Sequence, residues 1–414
     1  MKDDIRHNLD NARRLEEIYQ SDKSGFKSSF NEIFEEIQDQ PLAQFWNERL
    51  NYVAPGISWG GKMDLPVIFV ASLIAGFIAK LPVFTNIEES FYYSRNIGFV
   101  VLPILIGYFA WKQQFEQKKL LILSATVLFS IIFINLIPEN SQSQTLILSC
   151  IHLPLFLWAV MGYSFVGNKY NDTNARLDYL RYMGDLVVMT TIILIAGIIL
   201  TLLTLGLFNL INVDITTFYV EYVVVFGVAA APIIGTYLVR TNPQLVNKVS
   251  PIIAKVFSPL VLVTLVIYLL AMIGSGKNLY MDRDFLFIFN MLLIGVMAII
   301  LFSVAETGKN DRSTASILIL FALSAVTVIV NTIALSAILY RISEWGITAN
   351  RLAVLGGNIL ILCNLIFVSL NLLKGIKNKE LLGKVEDSIA FFLPVYSIWT
   401  VIVTFLFPIL FQFK

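Results

Sequence analysis

The chain has 414 residues, of which 57% are hydrophobic and only 14% charged, with a net charge of +1. A soluble domain carries about 25% charged residues, so a mean hydropathy of +0.74 excludes an ordinary water-soluble fold and points to repeated membrane spans. The near-neutral charge, with no basic stripe among aromatics, gives no reason to expect a nucleic-acid partner. Two cysteines, Cys150 and Cys363, argue against a disulfide framework, and the two histidines, His7 and His152, are too few for a multi-histidine metal centre. No cofactor is expected.

Residues 1–63 predict a small soluble helical module. Ile5, Leu9, Ala12, Leu15 and Ile18 share one face of a first helix. After a turn at Ser21–Gly25, Phe26, Phe30, Ile33, Phe34 and Ile37 mark a second, and after Pro41, Leu42, Phe45, Trp46 and Leu50 mark a third. So short a stretch makes a marginal core, and the module is expected to lean on the membrane domain or on a protein partner. It is charged and lacks the early apolar region of a signal peptide, so it is expected to stay in the cytoplasm.

Residues 64–414 predict an all-α polytopic transmembrane bundle. Apolar runs fall at 65–84, 97–111, 119–137, 145–167, 185–208, 219–240, 257–273, 285–304, 315–340, 351–374 and 389–413, eleven spans of which the second is short. Lys and Arg crowd alternate connections, such as Lys112–Lys119, Lys169–Arg181 and Lys374–Lys384. The opposite side carries little beyond Arg95, Lys277, Arg283, Arg341, Arg351 and Lys414. The positive-inside rule then places the N-terminus inside and the C-terminus outside a bacterial inner membrane. Two inside connections, Lys169–Asp185 and Asn242–Val256, read as short amphipathic surface helices. No internal repeat supports an inverted-repeat transporter.

The stretch Arg341-Ile-Ser-Glu-Trp-Gly-Ile-Thr-Ala-Asn-Arg351 reads as a polar loop between two long spans. Thr348 suits the N-cap of the helix that follows. Arg341 ends a helix, where a cation is favoured; Arg351 sits in a first turn, where it is disfavoured. Arg351 therefore needs an anion, either Glu344 or the phosphate of a lipid or substrate. Gly346 permits a positive φ, and Trp345 suits the membrane interface.

This stretch resembles the R-I-x-x-[YW]-G-[IL]-T-x-N-R pattern of a family of bacterial polytopic membrane proteins catalogued as a domain of unknown function. Leu15–Lys27 and Phe45–Tyr52 are similar to the cytoplasmic extension of its Bacteroidota members. The resemblance implies a multi-span inner-membrane protein and brings no activity or ligand with it.

Ionisable groups within spans are functional candidates because hydrocarbon penalises them. Lys80 and Glu221 lie near span ends, where snorkelling is the plain account. His152 lies inside the fourth span, either as a neutral group bonded to a neighbouring helix or as a proton relay with Glu221 and Lys80. Ser324, Thr327 and Asn331 share a face of the ninth span, and Gly357, Asn364 and Asn371 recur every seven residues on the tenth. Such spacing marks a helix–helix seam or a water-lined pathway in which a solute meets Asn331 and Asn364. Pro232, between Gly227 and Gly235, kinks the sixth span for a gate or for packing. The chain has no G-x-x-x-x-G-K-[ST], H-E-x-x-H or G-x-S-x-G motif.

The leading expectation is a non-enzymatic protein of the lipid bilayer that docks a partner through residues 1–63. The alternatives are a permease for a small or lipid-like solute, and a membrane enzyme acting on an anionic lipid through Arg341, Glu344 and Arg351.

Overall fold

The computed structural model describes residues 1–51, 63–140, 142–210, 213–242, 249–274, 283–310 and 314–414, and every regular element among them is helical. The chain divides into two units, Met1–Trp59 and Gly60–Lys414.

The first unit holds four helices: α1 (Lys2–His7), α2 (Ala12–Ser21), α3 (Lys23–Ile37) and α4 (Pro41–Asn51). The single first helix predicted from Ile5 to Ile18 is broken between Asn8 and Asn11. Asn and Asp side chains offer the backbone hydrogen bonds that compete with a helix interior. Asn8 donates to the Asp4 carbonyl at 2.7 Å, and the Asn11 side chain accepts the Arg14 N–H at 3.1 Å, capping α2. Asp22 caps α3 in the same way, accepting from Gly25 N–H at 2.9 Å. Ile5, Leu15, Phe26, Phe30, Ile33, Ile37, Trp46 and Leu50 form the core. The Trp46 ring lies 4.9 Å from Phe26 and 5.3 Å from Tyr19, and the Arg49 guanidinium covers it at 4.5 Å. Phe45, expected inside, is 58% exposed. Ala43, Trp46 and Leu50 hold the inner stripe of α4 at spacings of three and four, and Phe45 lies about 100° away from Trp46 around the helix.

The second unit runs through α5 (Asp64–Ala79), α6 (Leu81–Thr85), α7 (Glu89–Lys112), α8 (Gln117–Leu136), α9 (Gln144–Val166) and α10 (Thr173–Leu210). Then come α11 (Thr216–Phe218), a π-helical segment Tyr219–Val224, α12 (Val225–Thr241), α13 (Val249–Gly274), α14 (Arg283–Asn310), α15 (Thr314–Trp345) and α16 (Ala349–Lys377). The chain closes with α17 (Gly383–Val401), a second π segment Ile402–Leu406 and α18 (Phe407–Leu410). Among the described residues, eight helices are long and apolar enough to cross a membrane. Three shorter apolar stretches, Asp64–Ala79, Val256–Ile267 and Leu292–Ala305, fall where the first, seventh and eighth spans are expected.

Three expectations change. The short second span is a 24-residue helix, α7. Arg95 and Asn96 interrupt its apolar run, yet both side chains are buried and bonded to α8: Arg95 to the Ile134 and Ile137 carbonyls, Asn96 to Asn135 at 2.9 Å. The surface helix expected over Lys169–Asp185 is the first part of α10, which continues without a break to Leu210. Its Leu177, Tyr179, Leu180 and Tyr182 are buried, and Arg181 donates to the Ala305 carbonyl at 2.7 Å, so this part packs in the bundle rather than along its surface. Of the other expected surface helix, Asn242–Val256, residues 243–248 lie outside the described residues and 249–256 are the first turns of α13.

Two of the apolar clusters join most of the helices. Leu293, Ile300, Leu323, Leu365, Val368 and Ile389 join α14 to α17. Ile68, Leu105, Phe109, Met161, Tyr182 and Ile233 join α5, α7, α9, α10 and α12.

Proline lacks an N–H and so frees the carbonyl four residues before it. At four sites a side chain from another helix takes that carbonyl. Tyr92 donates to Ile78, four before Pro82, at 2.7 Å. Arg95 donates to Ile134, four before Pro138, at 2.7 Å. Arg176 donates to Ala390, four before Pro394, at 3.1 Å. Ser149 donates to Thr404, four before Pro408, at 2.8 Å.

Candidate functional site

The polar stretch Arg341–Arg351 is mostly helix. α15 runs through Trp345 and α16 starts at Ala349, which leaves Gly346, Ile347 and Thr348 as the link. Gly346 has φ +76, a left-handed conformation that favours glycine, and its N–H closes on Ile342 at 2.9 Å. The Thr348 hydroxyl accepts the Arg351 N–H at 3.3 Å, as an N-cap does.

Arg351 finds a different counterpart from the one expected. Its guanidinium donates to the Trp345 carbonyl at 2.8 Å and the Gly346 carbonyl at 2.6 Å. These are carbonyls at the C-terminal end of α15, the negative pole of its dipole. A cation misplaced for its own helix is thus well placed for the preceding one, and among the described residues no ion pair joins it to Glu344. Two guanidinium groups lie near the Trp345 ring, Arg341 at 5.3 Å and Arg351 at 5.7 Å from its centroid. The tryptophan is 45% exposed.

Lys80 and Glu221 come together. Lys80 stands at the break between α5 and α6 with its side chain buried. Its ammonium lies 3.6 Å from the Glu221 carboxylate and 4.8 Å from the centre of the Tyr222 ring. Glu221 and Tyr222 belong to the π segment ahead of α12, and π segments inside helices often mark functional positions. Tyr92 and Tyr93 pin the last carbonyls of α5, at Ile78 and Ala79. Lys80 is therefore buried against protein partners, the Glu221 carboxylate and the Tyr222 ring. His152 is not joined to this pair: its Nδ1 bonds the Leu148 carbonyl of its own helix at 2.9 Å, not a neighbouring helix.

The polar faces of α15 and α16 separate. Ser324 accepts from Ser369 of α16 at 2.9 Å, and Asn331 donates to the Asn358 carbonyl of α16 at 3.1 Å. Thr327 bonds back to Leu323 of its own helix. The heptad face of α16 turns instead to α17, where Asn364 donates to the Tyr396 hydroxyl at 3.0 Å and Asn371 to Ser388 at 2.8 Å. Asn331 and Asn364 are fully buried, and each keeps an amide oxygen without a hydrogen-bond partner. A hollow of about 430 Å³ at the α10–α11 corner and an apolar groove of about 250 Å³ beside α5 and α7 are lined by neither residue. At Gly235, between α12 and α10, an added Cβ would lie 2.9 Å from Thr190 Oγ1, so this glycine serves close helix packing.

Sequence reasoning missed the bonded cations Arg95, Arg176 and Arg181, the Asn96–Asn135 amide pair, and the buried Asp64, whose carboxylate meets Lys112 at 2.6 Å. The signal available for two of the donors, Arg95 and Arg176, was a proline four residues beyond a carbonyl in need of one. Among the described residues no group of three His, Cys, Asp or Glu could hold a metal. None of the family models, curated proteins or solved structures compared with the chain matches it.

Proposed function

We propose that the chain is a non-enzymatic multi-pass protein of the bacterial inner membrane that presents its N-terminal helical module to a cytoplasmic protein partner. The observation that carries this reading is the full burial of Asn331 and Asn364, whose amide groups donate across helix seams to the Asn358 carbonyl and the Tyr396 hydroxyl. Eight long helices and three shorter ones allow eleven crossings, and the placement of Lys and Arg favours an internal N-terminus. The module has a core of its own and leaves Phe45 exposed. The likeness of Arg341–Arg351 to the polytopic family pattern agrees with this reading.

The threading is tested with a chain in which Cys150 and Cys363 are replaced by serine and a single cysteine is placed by Ser28→Cys or Ser343→Cys. An impermeant thiol reagent should label the two positions from opposite sides of the membrane, and labelling from one side overturns the reading. Partner docking is tested by cross-linking the full chain in its native membrane. Phe45→Ser should abolish a cross-link that the unaltered chain forms.

A permease is the second reading, favoured by the two unpartnered amide oxygens of Asn331 and Asn364. Buried polar groups without partners are costly, and a solute donor would satisfy them. The lipid-enzyme alternative has less support, because the Arg351 guanidinium is already engaged by two carbonyls.

A further inference from the structure

Beside α5, α7 and α12 lies a groove of about 250 Å³, lined by Ile68, Ala71, Ile104, Gly107, Trp111 and Ile233 among others. Apart from Tyr108 and the Trp111 indole, every lining residue is aliphatic or glycine. Gly107 and Trp111 are exposed, so the groove opens sideways from the bundle. From Ile104 to Trp111 it extends about 10 Å along α7 at 1.5 Å per residue, most of one leaflet's hydrocarbon half-thickness of ~15 Å.

The three helices bring charge to the same end of this groove. Asp64 lies one turn before Ile68, Lys112 one turn after Tyr108, and Arg240 seven residues after Ile233, each on the groove side of its helix by register. Lys112 pairs with Asp64 at 2.6 Å and covers the Trp111 ring at 4.6 Å. Arg240 is exposed over the Phe165 ring at 5.3 Å. Two cations against one carboxylate leave this end positive.

We propose that the groove holds one acyl chain of an anionic phospholipid, its phosphate facing Lys112 and Arg240. A helix about 10–12 Å across does not fit a space of this volume, whereas a single hydrocarbon chain does. The positive end, at the level where headgroups begin, selects a negative head. The inference rests on the chain lying in a bilayer, and extraction by alkaline carbonate without detergent tests that premise separately.

Gly107 supplies the test. A Cβ built there meets nothing within 4 Å, so the position has room for a side chain; Gly107→Leu puts one at the groove wall and also improves helix propensity. The full chain, purified in mild detergent, is titrated with phosphatidylglycerol or phosphatidylcholine and examined by native mass spectrometry. The unaltered chain should retain one phosphatidylglycerol at a lipid concentration at least tenfold below that needed for phosphatidylcholine. Gly107→Leu should abolish this retention with no fall in unfolding temperature, and Ala71→Leu, from the opposite wall, should do the same if Gly107→Leu does not fold. Arg240→Gln should keep the lipid and lose the preference. The proposal is overturned if the unaltered chain retains no lipid, if it shows no preference, if the filled groove binds as before, or if Arg240→Gln leaves the preference intact.

Discussion

The Arg176 guanidinium donates to the Ala390 carbonyl at 3.1 Å, and Ala390 is the residue whose helical partner would have been the N–H that Pro394 lacks. In hydrocarbon no water takes that carbonyl, so a proline inside a membrane helix is tolerated where a neighbour re-satisfies the backbone. The same relationship recurs at Ile78 and Ile134 between helices close in sequence, and at Thr404, as at Ala390, between helices more than 200 residues apart. These prolines therefore link the bundle together as well as bending or ending helices. Such a bond joins two helices at a fixed height along their axes, which apolar side chains specify less sharply.

Arg176→Ala should destabilise the protein by about 1–3 kcal/mol, the cost of leaving a buried carbonyl unmet. Pro394→Ala in the same chain should recover part of that loss, because it restores the missing N–H. The measurement is a double-mutant cycle of unfolding in detergent. Strictly additive effects would show that Arg176 does not serve the carbonyl that Pro394 frees.

Lys80 and Glu221 should respond asymmetrically. The Lys80 side chain is 5% exposed and that of Glu221 49%. Glu221→Gln strands a buried ammonium against the Tyr222 ring, whereas Lys80→Met leaves a carboxylate that water still reaches. Breaking a fully buried pair costs roughly 3–5 kcal/mol, and the exposure of Glu221 lowers that figure toward about 1 kcal/mol. Glu221→Gln should be the more destabilising of the two, and the pair Lys80→Met with Glu221→Gln should be milder than Glu221→Gln alone. The reverse order of melting temperatures would refute this assignment.

The apolar runs were legible because hydrocarbon demands them, and α8, α9 and α15 lie close to the predicted spans. The N-cap at Thr348 and the positive φ of Gly346 were also legible, since both depend on neighbours in sequence. The counterpart of Arg351 was not. Charge patterning pointed to Glu344, but backbone carbonyls are absent from a list of charges, and two of them proved to be the acceptors. The second span looked short for the same reason: Arg95 and Asn96 read as surface residues until α8 supplied acceptors inside the bundle. The Gly357–Asn364–Asn371 face read as a seam or a water-lined pathway, and a helical repeat does not say which neighbour it meets; its two amides bond α17.

The N-terminal module should loosen in acid. A hydrogen bond from Lys2 holds Glu32 below the ordinary carboxylate range, and one from Arg14 does the same for Glu17. A carboxylate depressed in the folded state contributes stability above its unfolded pKa, about 4.3 for glutamate, and loses it as pH falls through the depressed folded value. Hydrogen exchange over residues 1–51 of the full chain, corrected for intrinsic rates, should therefore show less protection at pH 3 than at pH 6. Lys2→Met should weaken this pH dependence, and an unchanged dependence would remove Glu32 from the account.

The link between α15 and α16 separates two accounts of Arg351. If the guanidinium is held by the α15 carbonyls, Glu344→Gln should leave stability unchanged, because the carboxylate is not part of the bond. Arg351→Lys should cost about 1–2 kcal/mol, since an ammonium carries the charge but lacks the fork that reaches the Trp345 and Gly346 oxygens together. Arg351→Ala should cost more than Arg351→Lys, because the carbonyls then lose a charged donor altogether. Unfolding in detergent at low and high salt completes the test. An ion pair at an exposed turn would weaken with salt, whereas the difference between arginine and lysine, which rests on geometry, should persist.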